Sequence, residues 1–257
     1  MLDEVLLGAA IAFCFATLCT PVGVSGAVFL VPVQVSLLNT PSPALTPTNL
    51  LYNLIAIPGA LLTFRRQGRL HGSLLRLLVL GTLPGVVAGA VIRVEWLSGP
   101  EAFYLVIAMV LTPLGAWLAL GHRPRERSRP IPPPRTIAAL ALIVGVIGGI
   151  YGIGGGSILG PILVGLGFTV VEVAPAALAA TFLTSIAGVA TYALLSLNAN
   201  ADIAPDWLIG VSLGLGGLAG SNLGVALQSR LPEAMLRRGL GVLALGLGIR
   251  YGVLGLT

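Results

Sequence analysis

Eight apolar segments separated by short polar stretches dominate this chain. They fall at 5–38, 48–64, 74–92, 102–120, 136–168, 173–197, 207–228 and 236–256. A helix that crosses a bilayer needs about 20 predominantly apolar residues, and these segments are of about that length or longer. The pattern predicts an all-α integral membrane protein with a single membrane domain over residues 1–257.

Composition excludes the other broad classes of protein. The chain is 56% hydrophobic and only 9% charged, whereas a soluble domain is about 25% charged and a disordered chain is poor in apolar residues. The net charge of +5 comes from fourteen arginines that stand at segment ends. Arginines in these positions are typical of cytoplasmic anchors. We therefore expect the lipid bilayer as a partner, and no nucleic acid.

The chain divides into two related halves. Residues 122–135 are rich in arginine and proline and predict an exposed cytoplasmic linker between a first repeat, 1–121, and a second, 136–257. A shift of 129 residues superposes glycines and a proline of the two halves, namely Gly23, Gly26 and Pro32 on Gly152, Gly155 and Pro161. Further matches are Thr48 with Thr181 and Pro100-Glu101-Ala102 with Pro232-Glu233-Ala234. These matches indicate an internal duplication.

The first segment of each half is interrupted by glycine. The run 136–168 is too long for one span, and four of the five residues in Gly152–Gly156 are glycines. Each glycine costs about 1 kcal/mol relative to alanine in a helix, so we expect the helix to unwind there. The first half has a weaker version at Pro21–Gly26. Each first segment is therefore predicted as a glycine-broken helix, either one long interrupted span or a re-entrant hairpin.

The arginines favour one of these two topologies. If all eight segments cross, ten of the fourteen arginines lie on one side, whereas six crossings with two re-entrant elements put twelve there. Cytoplasmic loops carry an excess of arginine, so we favour six crossings over eight. Three crossings per half make the two halves an inverted repeat, a plan that many secondary transporters use.

The glycine breaks are the candidate binding site. A glycine run that opens onto a half-helix presents free N–H groups and the positive end of a dipole, which suits an anion. Neutral hydroxyls and amides on the segment after each break could complete the hydrogen bonds to an oxyanion or a cation. The predicted substrate-binding residues are Gly152, Gly154, Gly155, Gly156, Ser157, Gly23, Ser25, Gly26, Thr48, Asn49, Asn53, Thr181 and Ser185. The alternative is that they serve only helix packing and interhelix hydrogen bonds.

Other patterns indicate packing rather than chemistry. The GxxxG spacings Gly81-Gly85-Gly89 and Gly216-Gly220-Gly224 predict close helix contacts. Ser25 stands in a GxSG string like that of rhomboid intramembrane proteases, but the two histidines, His71 and His122, lie in or beside arginine-rich loops at the membrane surface. We therefore expect no enzyme, no catalytic residue, no metal site and no cofactor.

At this point the residues resemble a known family. The strings GIYGIGGGSILGPILVGLG and GVSGAVFLVPVQ, the arginine-rich central loop and the chain length are similar to the sulfite exporter TauE/SafE family of bacterial inner-membrane permeases. Ser25 and Ala27 stand where that family usually has further glycines.

The resemblance implies a function and a location. It implies a multi-pass secondary transporter of the bacterial inner membrane, moving small sulfur-containing organic or inorganic anions such as sulfite, sulfoacetate or a related sulfonate or carboxylate. Transport would proceed by alternating access, with protons or sodium as candidate coupling ions. The alternative is a transporter or channel for another small solute or cation that uses the same broken-helix site.

Overall fold

A computed structural model describes residues 2–70, 72–97, 99–120, 132–166, 168–197, 203–228 and 233–256. Within these ranges every regular element is a helix, which confirms the predicted all-α class. The α-helices are α1 Leu2–Cys19, α2 Ala27–Ser36, α3 Ser42–Ala56, α4 Pro58–Arg66, α5 Ser73–Glu95, α6 Pro100–Ala119, α7 Pro134–Tyr151, α8 Gly156–Gly165, α9 Val170–Ser196, α10 Trp207–Leu227 and α11 Glu233–Leu254. His71, His122 and most of the predicted linker lie outside the described residues.

Seven stretches within the described ranges are long and apolar enough to cross a membrane. They are Asp3–Val22, Ala44–Arg66, Ser73–Glu95, Glu101–Ala119, Pro134–Tyr151, Val170–Ser196 and Trp207–Leu227. The chain is therefore a multi-pass membrane protein. α11 is not among the seven, so the crossing of the eighth predicted segment, 236–256, stays a prediction. The span Ala44–Arg66 contains most of α3 and all of α4, which are separated at Ile57 because Pro58 has no N–H to continue the ladder.

Each first segment is divided between two helices, and in the first half the second helix folds back along the first. The predicted segment 5–38 becomes α1 and α2, and 136–168 becomes α7 and α8. Along the first hairpin the rings of Phe15 and Phe29 stack with centroids 5.3 Å apart, and a Cβ at Gly8 would lie 3.3 Å from Leu38 Cδ1. α2 thus returns alongside α1 as far as the level of Gly8.

The first predicted GxxxG stripe packs α5 against α7, which confirms its structural role. A Cβ at Gly85 would clash with the carbonyl oxygen of Leu142, and one at Gly89 would clash with that of Val146. Both sets of residue numbers rise together along the contact, so α5 and α7 run in the same direction. Small residues let the two backbones approach this closely.

The second stripe packs α10 against α1 in the same way. Gly216 lies on the carbonyl of Ala9, and Gly220 lies on that of Phe13, so this pair is also parallel. Each of these contacts joins a helix of one half to a helix of the other. The two halves are thus held together by glycine-mediated backbone contacts, in addition to side-chain packing.

Arg93 differs from its predicted place. Arg93 directly follows the predicted segment 74–92, where the sequence pattern favoured an anchor at a segment end, but α5 continues to Glu95 and Arg93 is only 2% exposed. Its guanidinium donates to the carbonyl of Leu97 and, at 2.8 Å each, to the carbonyl and hydroxyl of Ser42. It also lies 4.3 Å over the ring of Phe103. Arg93 therefore ties the end of α5 to the start of α3.

Candidate functional site

The two interruptions are built on glycines in the left-handed region. Gly152 closes α7 with φ +81°, and Gly154 follows with φ +70°. Gly23 has φ +78° after the short 3₁₀ turn Thr20–Val22 that follows α1. A side chain is strained at such angles. Gly152 thus ends α7, and Gly23 ends the 3₁₀ turn that follows α1.

A hydrogen-bonded chain joins the two interruptions. The Ser25 amide donates to Ser157 Oγ at 3.4 Å, and the Ser25 hydroxyl donates to Asn53 Oδ1 at 2.5 Å. The other end of the same side-chain amide, Asn53 Nδ2, donates to Ser185 Oγ at 3.2 Å. Four residues from α3, α8, α9 and the first interruption thus form one network.

Thr181 completes this group, which we call the break cluster: Ser25, Asn53, Ser157, Thr181 and Ser185. The oxygens Ser157 Oγ and Thr181 Oγ1 are 3.2 Å apart. All five residues are at most 2% exposed, and none carries a charge. Buried polar groups of this kind are normally hydrogen-bonded, as they are here. The break cluster is therefore a neutral, internally satisfied polar centre within an apolar bundle.

Two backbone amides beside the break cluster are also occupied. The Gly155 amide, at the N-cap of α8, donates to Thr184 Oγ1 at 3.2 Å. The Ala27 amide, at the start of α2, donates to Ser25 Oγ at 3.2 Å. α2 and α8 both begin beside the break cluster, so the positive ends of both half-helices are next to it. A ligand that enters must replace these internal hydrogen bonds.

The remaining predicted glycines lie in close contact with backbone or side-chain atoms of neighbouring helices. A Cβ at Gly156 would clash with the Ala177 carbonyl, and one at Gly152 would lie 2.6 Å from the Thr46 carbonyl. A Cβ at Gly26 would lie 2.6 Å from Tyr52 Oη. These glycines allow α8 and α2 to pack closely against the helices that carry the polar side chains. Helix packing is therefore a sufficient reason for glycine at these positions, whether or not a ligand binds.

Asn49 lies one turn from the break cluster and forms its own branch. Its Nδ2 donates to the Ala27 carbonyl at 3.0 Å, and its Oδ1 accepts from Gln34 Nε2 at 3.2 Å. Gln34 is fully buried, and its Oε1 has no hydrogen-bond partner among the described residues. Gln34 and Thr184 were not among the predicted site residues. The sequence signal that could have identified Gln34 is that it carries the single side-chain amide within the apolar run 5–38.

Thr48 is not brought to the break cluster. Its hydroxyl accepts from the Asp206 amide at 2.8 Å, where α10 begins. Residues 48 and 53 are five positions apart, so on a helix they point about 140° away from each other. The hydroxyl of Thr48 therefore ties the start of α10 to α3.

No group of three or more His, Cys, Asp or Glu residues that could hold a metal ion occurs in the described part of the chain. The acid nearest in sequence to the second break, Glu172, forms a capping box with Thr169 at the start of α9 and is exposed. The hydrogen bonds of the break cluster are thus made by hydroxyl and amide groups alone.

Together these features define the class of protein. The protein has several candidate membrane spans, and two of its interrupted segments meet at a buried polar centre, an arrangement that membrane transporters use for binding sites. The sequence model of the family Sulfite exporter TauE/SafE matches residues 8–251. The chain belongs to this family of membrane transporters, as the glycine strings suggested. No curated protein matches the sequence.

Proposed function

We propose that the protein is a secondary transporter of the bacterial inner membrane that moves small sulfur-containing anions, such as sulfite, sulfoacetate or a related sulfonate or carboxylate, by alternating access. The hydrogen bond from the Ser25 amide to Ser157 Oγ carries this proposal. It joins the first interruption to the second at the polar centre of the bundle. A ligand that binds there contacts both halves at once.

The chemistry of the break cluster supports an anion as the ligand. Two half-helices, α2 and α8, begin beside it, and the N-terminal ends of helices favour negative charge. Hydroxyl and amide donors without a fixed cation bind an oxyanion weakly enough to release it on the other side. A neutral site also keeps an empty transporter free of an uncompensated buried charge.

Contacts at the two ends of α10 support an inverted repeat. The start of α10 is bonded to α3 through Asp206 and Thr48. At the end of α10, Gln228 accepts from Arg69 at 3.3 Å, and Arg69 also donates to the carbonyl of Val171 at the start of α9. A helix of 21 residues is about 31 Å long. α3 and α9, which correspond in the two halves, thus begin at opposite ends of α10 and run in opposite directions.

The same contact supports six crossings with two re-entrant hairpins. Arg69 follows α4, and Gln228 follows α10, so their hydrogen bond brings the connections after these two helices to one face. With six crossings, these two connections lie on the same, arginine-rich side of the membrane. With eight crossings, they lie on opposite sides. Alternating access then consists of opening the break cluster towards one face or the other.

Flux measurements in liposomes test the proposed function. We expect saturable uptake of labelled sulfite and of a short sulfonate by the purified protein, unchanged when the accompanying cation is exchanged. A dependence on an imposed pH or sodium gradient would identify the coupling ion. Flux that follows the identity of the cation, with no selectivity among anions, would overturn the assignment in favour of a cation site.

A further inference from the structure

An apolar cleft opens between α6 and the second hairpin. It has a volume of about 570 Å³, and the described residues that line it are aliphatic residues, prolines, one methionine and one tryptophan. α6 contributes a continuous face that includes Met109, Pro113 and Trp117, and the opposite wall includes Ile150 of α7 and Pro161 of α8. Met109 is 74% exposed, so the cleft is open to the outer surface of the bundle.

We infer that this cleft binds one acyl chain of a membrane phospholipid. Its lining residues on α6 run from Val106 to Trp117, within the span Glu101–Ala119. The mouth of the cleft therefore faces the hydrocarbon of the bilayer rather than water. The lining residues that the structure describes include no charged, hydroxyl or amide side chain that could hold a headgroup, so the hydrocarbon part of the lipid is the part that enters.

The size of the cleft fits one chain. An apolar cavity of about 150 Å³ holds benzene, which has six carbons, and on that scale 570 Å³ admits roughly 20 carbons. Protein interiors are close-packed, and an empty gap forfeits the dispersion contacts of the side chains around it. An acyl chain restores those contacts.

The corresponding place in the first half is filled by the protein itself. Pro32, the repeat partner of Pro161, lies on α2, and Tyr251 of α11 donates to its carbonyl at 3.1 Å. The Tyr251 hydroxyl also contacts Ser36 Oγ at 2.9 Å, and its ring packs against Tyr104 with centroids 5.5 Å apart. At the 132-residue shift of the Pro-Glu-Ala triplet, the partner of Tyr251 is Ala119. At this repeat position α6 therefore has the small residue Ala119, whereas α11 has the aromatic ring of Tyr251.

The acyl chain would lie directly against the broken helix. Ile158, Pro161 and Ile162 of α8 line the cleft, whereas Ser157 is fully buried in the break cluster. One lipid chain therefore supports the outer face of the half-helix whose first turn contributes to the site.

Native mass spectrometry of the purified protein tests this inference without any transport assay, so its result is independent of the proposed function. We expect wild type in mild detergent to retain one phospholipid. Val110→Phe fills the cleft from a position that is 8% exposed and should reduce the retained lipid at least threefold. The matched control is Leu142→Phe, on the outer surface of α7 and 45% exposed, which should retain lipid as wild type does.

A second measurement does not depend on a cleft-filling variant. With Trp96 and Trp207 replaced by Phe, Trp117 is the remaining tryptophan, and lipids brominated along the acyl chain should quench it in liposomes.

If Val110→Phe fails to fold, Val106→Phe replaces it. Equal lipid retention by the filled variant, a wild type that retains no lipid, a dimer in place of a lipid adduct, or unquenched Trp117 would each overturn the inference.

Discussion

The amide of Ser25 and the hydroxyl of Ser157, 132 residues apart in sequence, are joined by a hydrogen bond of 3.4 Å. This length is beyond the usual range for N–H···O bonds, so the contact is weak. A ligand at the proposed site would exchange this weak bond for one of its own.

Replacing Asn53 distinguishes an anion from a cation as the ligand. In Asn53→Asp the introduced carboxyl is neutral when it is protonated at low pH and negative when it is ionised at high pH. We expect sulfonate flux to fall about tenfold at high pH, where the introduced carboxylate repels the anion, and to recover as the pH is lowered. The measurement is flux of a strong-acid sulfonate across a pH series with equal pH on both sides.

Asn53→Leu is the control for this series. It removes the partner of both Ser25 and Ser185, and a buried polar group left without a partner costs about 1–3 kcal/mol. We expect a lower Tm and weak flux that does not recover at low pH. Faster flux through Asn53→Asp at high pH would contradict an anion site.

The two threonines at matched repeat positions should differ in their effects. Thr181 contacts Ser157 in the break cluster, whereas Thr48 accepts from the Asp206 amide. We expect Thr181→Val to raise the KM for the anion at least threefold. Thr48→Val should leave KM unchanged and lower the free energy of unfolding by about 1–3 kcal/mol, since it leaves a backbone amide unpaired. Equal effects on KM would count against the break cluster.

Arg93 should matter for stability. Arg93→Met leaves the Ser42 and Leu97 carbonyls without their donor, and each lost partner costs about 1–3 kcal/mol. We expect a clear drop in the Tm of the detergent-solubilised protein. Arg76 lies on the same helix and is exposed, so Arg76→Met should change the Tm little. A similar Tm for both variants would contradict the role assigned to Arg93.

Thiol labelling tests the six-crossing topology. In a background without Cys14 and Cys19, we expect cysteines at Gln67 and Gly239 to react with an impermeant reagent from the same side. A cysteine at Trp96 should react from the other side. All three positions are exposed. With eight crossings, Gly239 would instead react from the side of Trp96.

Much of the fold could be predicted from glycine positions. The string at Gly152–Gly156 coincides with the gap between α7 and α8 because positive φ at Gly152 and Gly154 is a local property of the backbone. The GxxxG stripes were similarly informative, since close backbone contact requires small residues whatever the partner. Such signals can be found in one sequence without knowledge of the neighbouring helix.

Other parts of the structure depend on which helix faces meet. Several helices are apolar all round, so periodicity does not show which face is inside. The burial of Arg93, the separation of Thr48 from Asn53 and the buried amide of Gln34 all follow from tertiary packing. The open cleft beside α8 likewise depends on how α6 lies against the second hairpin. The composition of the segments contains no information on these contacts.

Substitution of Gly155 tests whether the interruption before α8 is part of the anion site. Its amide starts α8 beside the break cluster, and a Cβ there would lie 2.5 Å from the side chain of Thr82. The measurement is anion flux in liposomes for wild type, Gly155→Leu and Gly246→Leu, the last at a glycine of α11 with open space around it. We expect folded Gly155→Leu to lose flux while Gly246→Leu retains it. Normal flux through Gly155→Leu would show that the interruption before α8 is not part of the anion site.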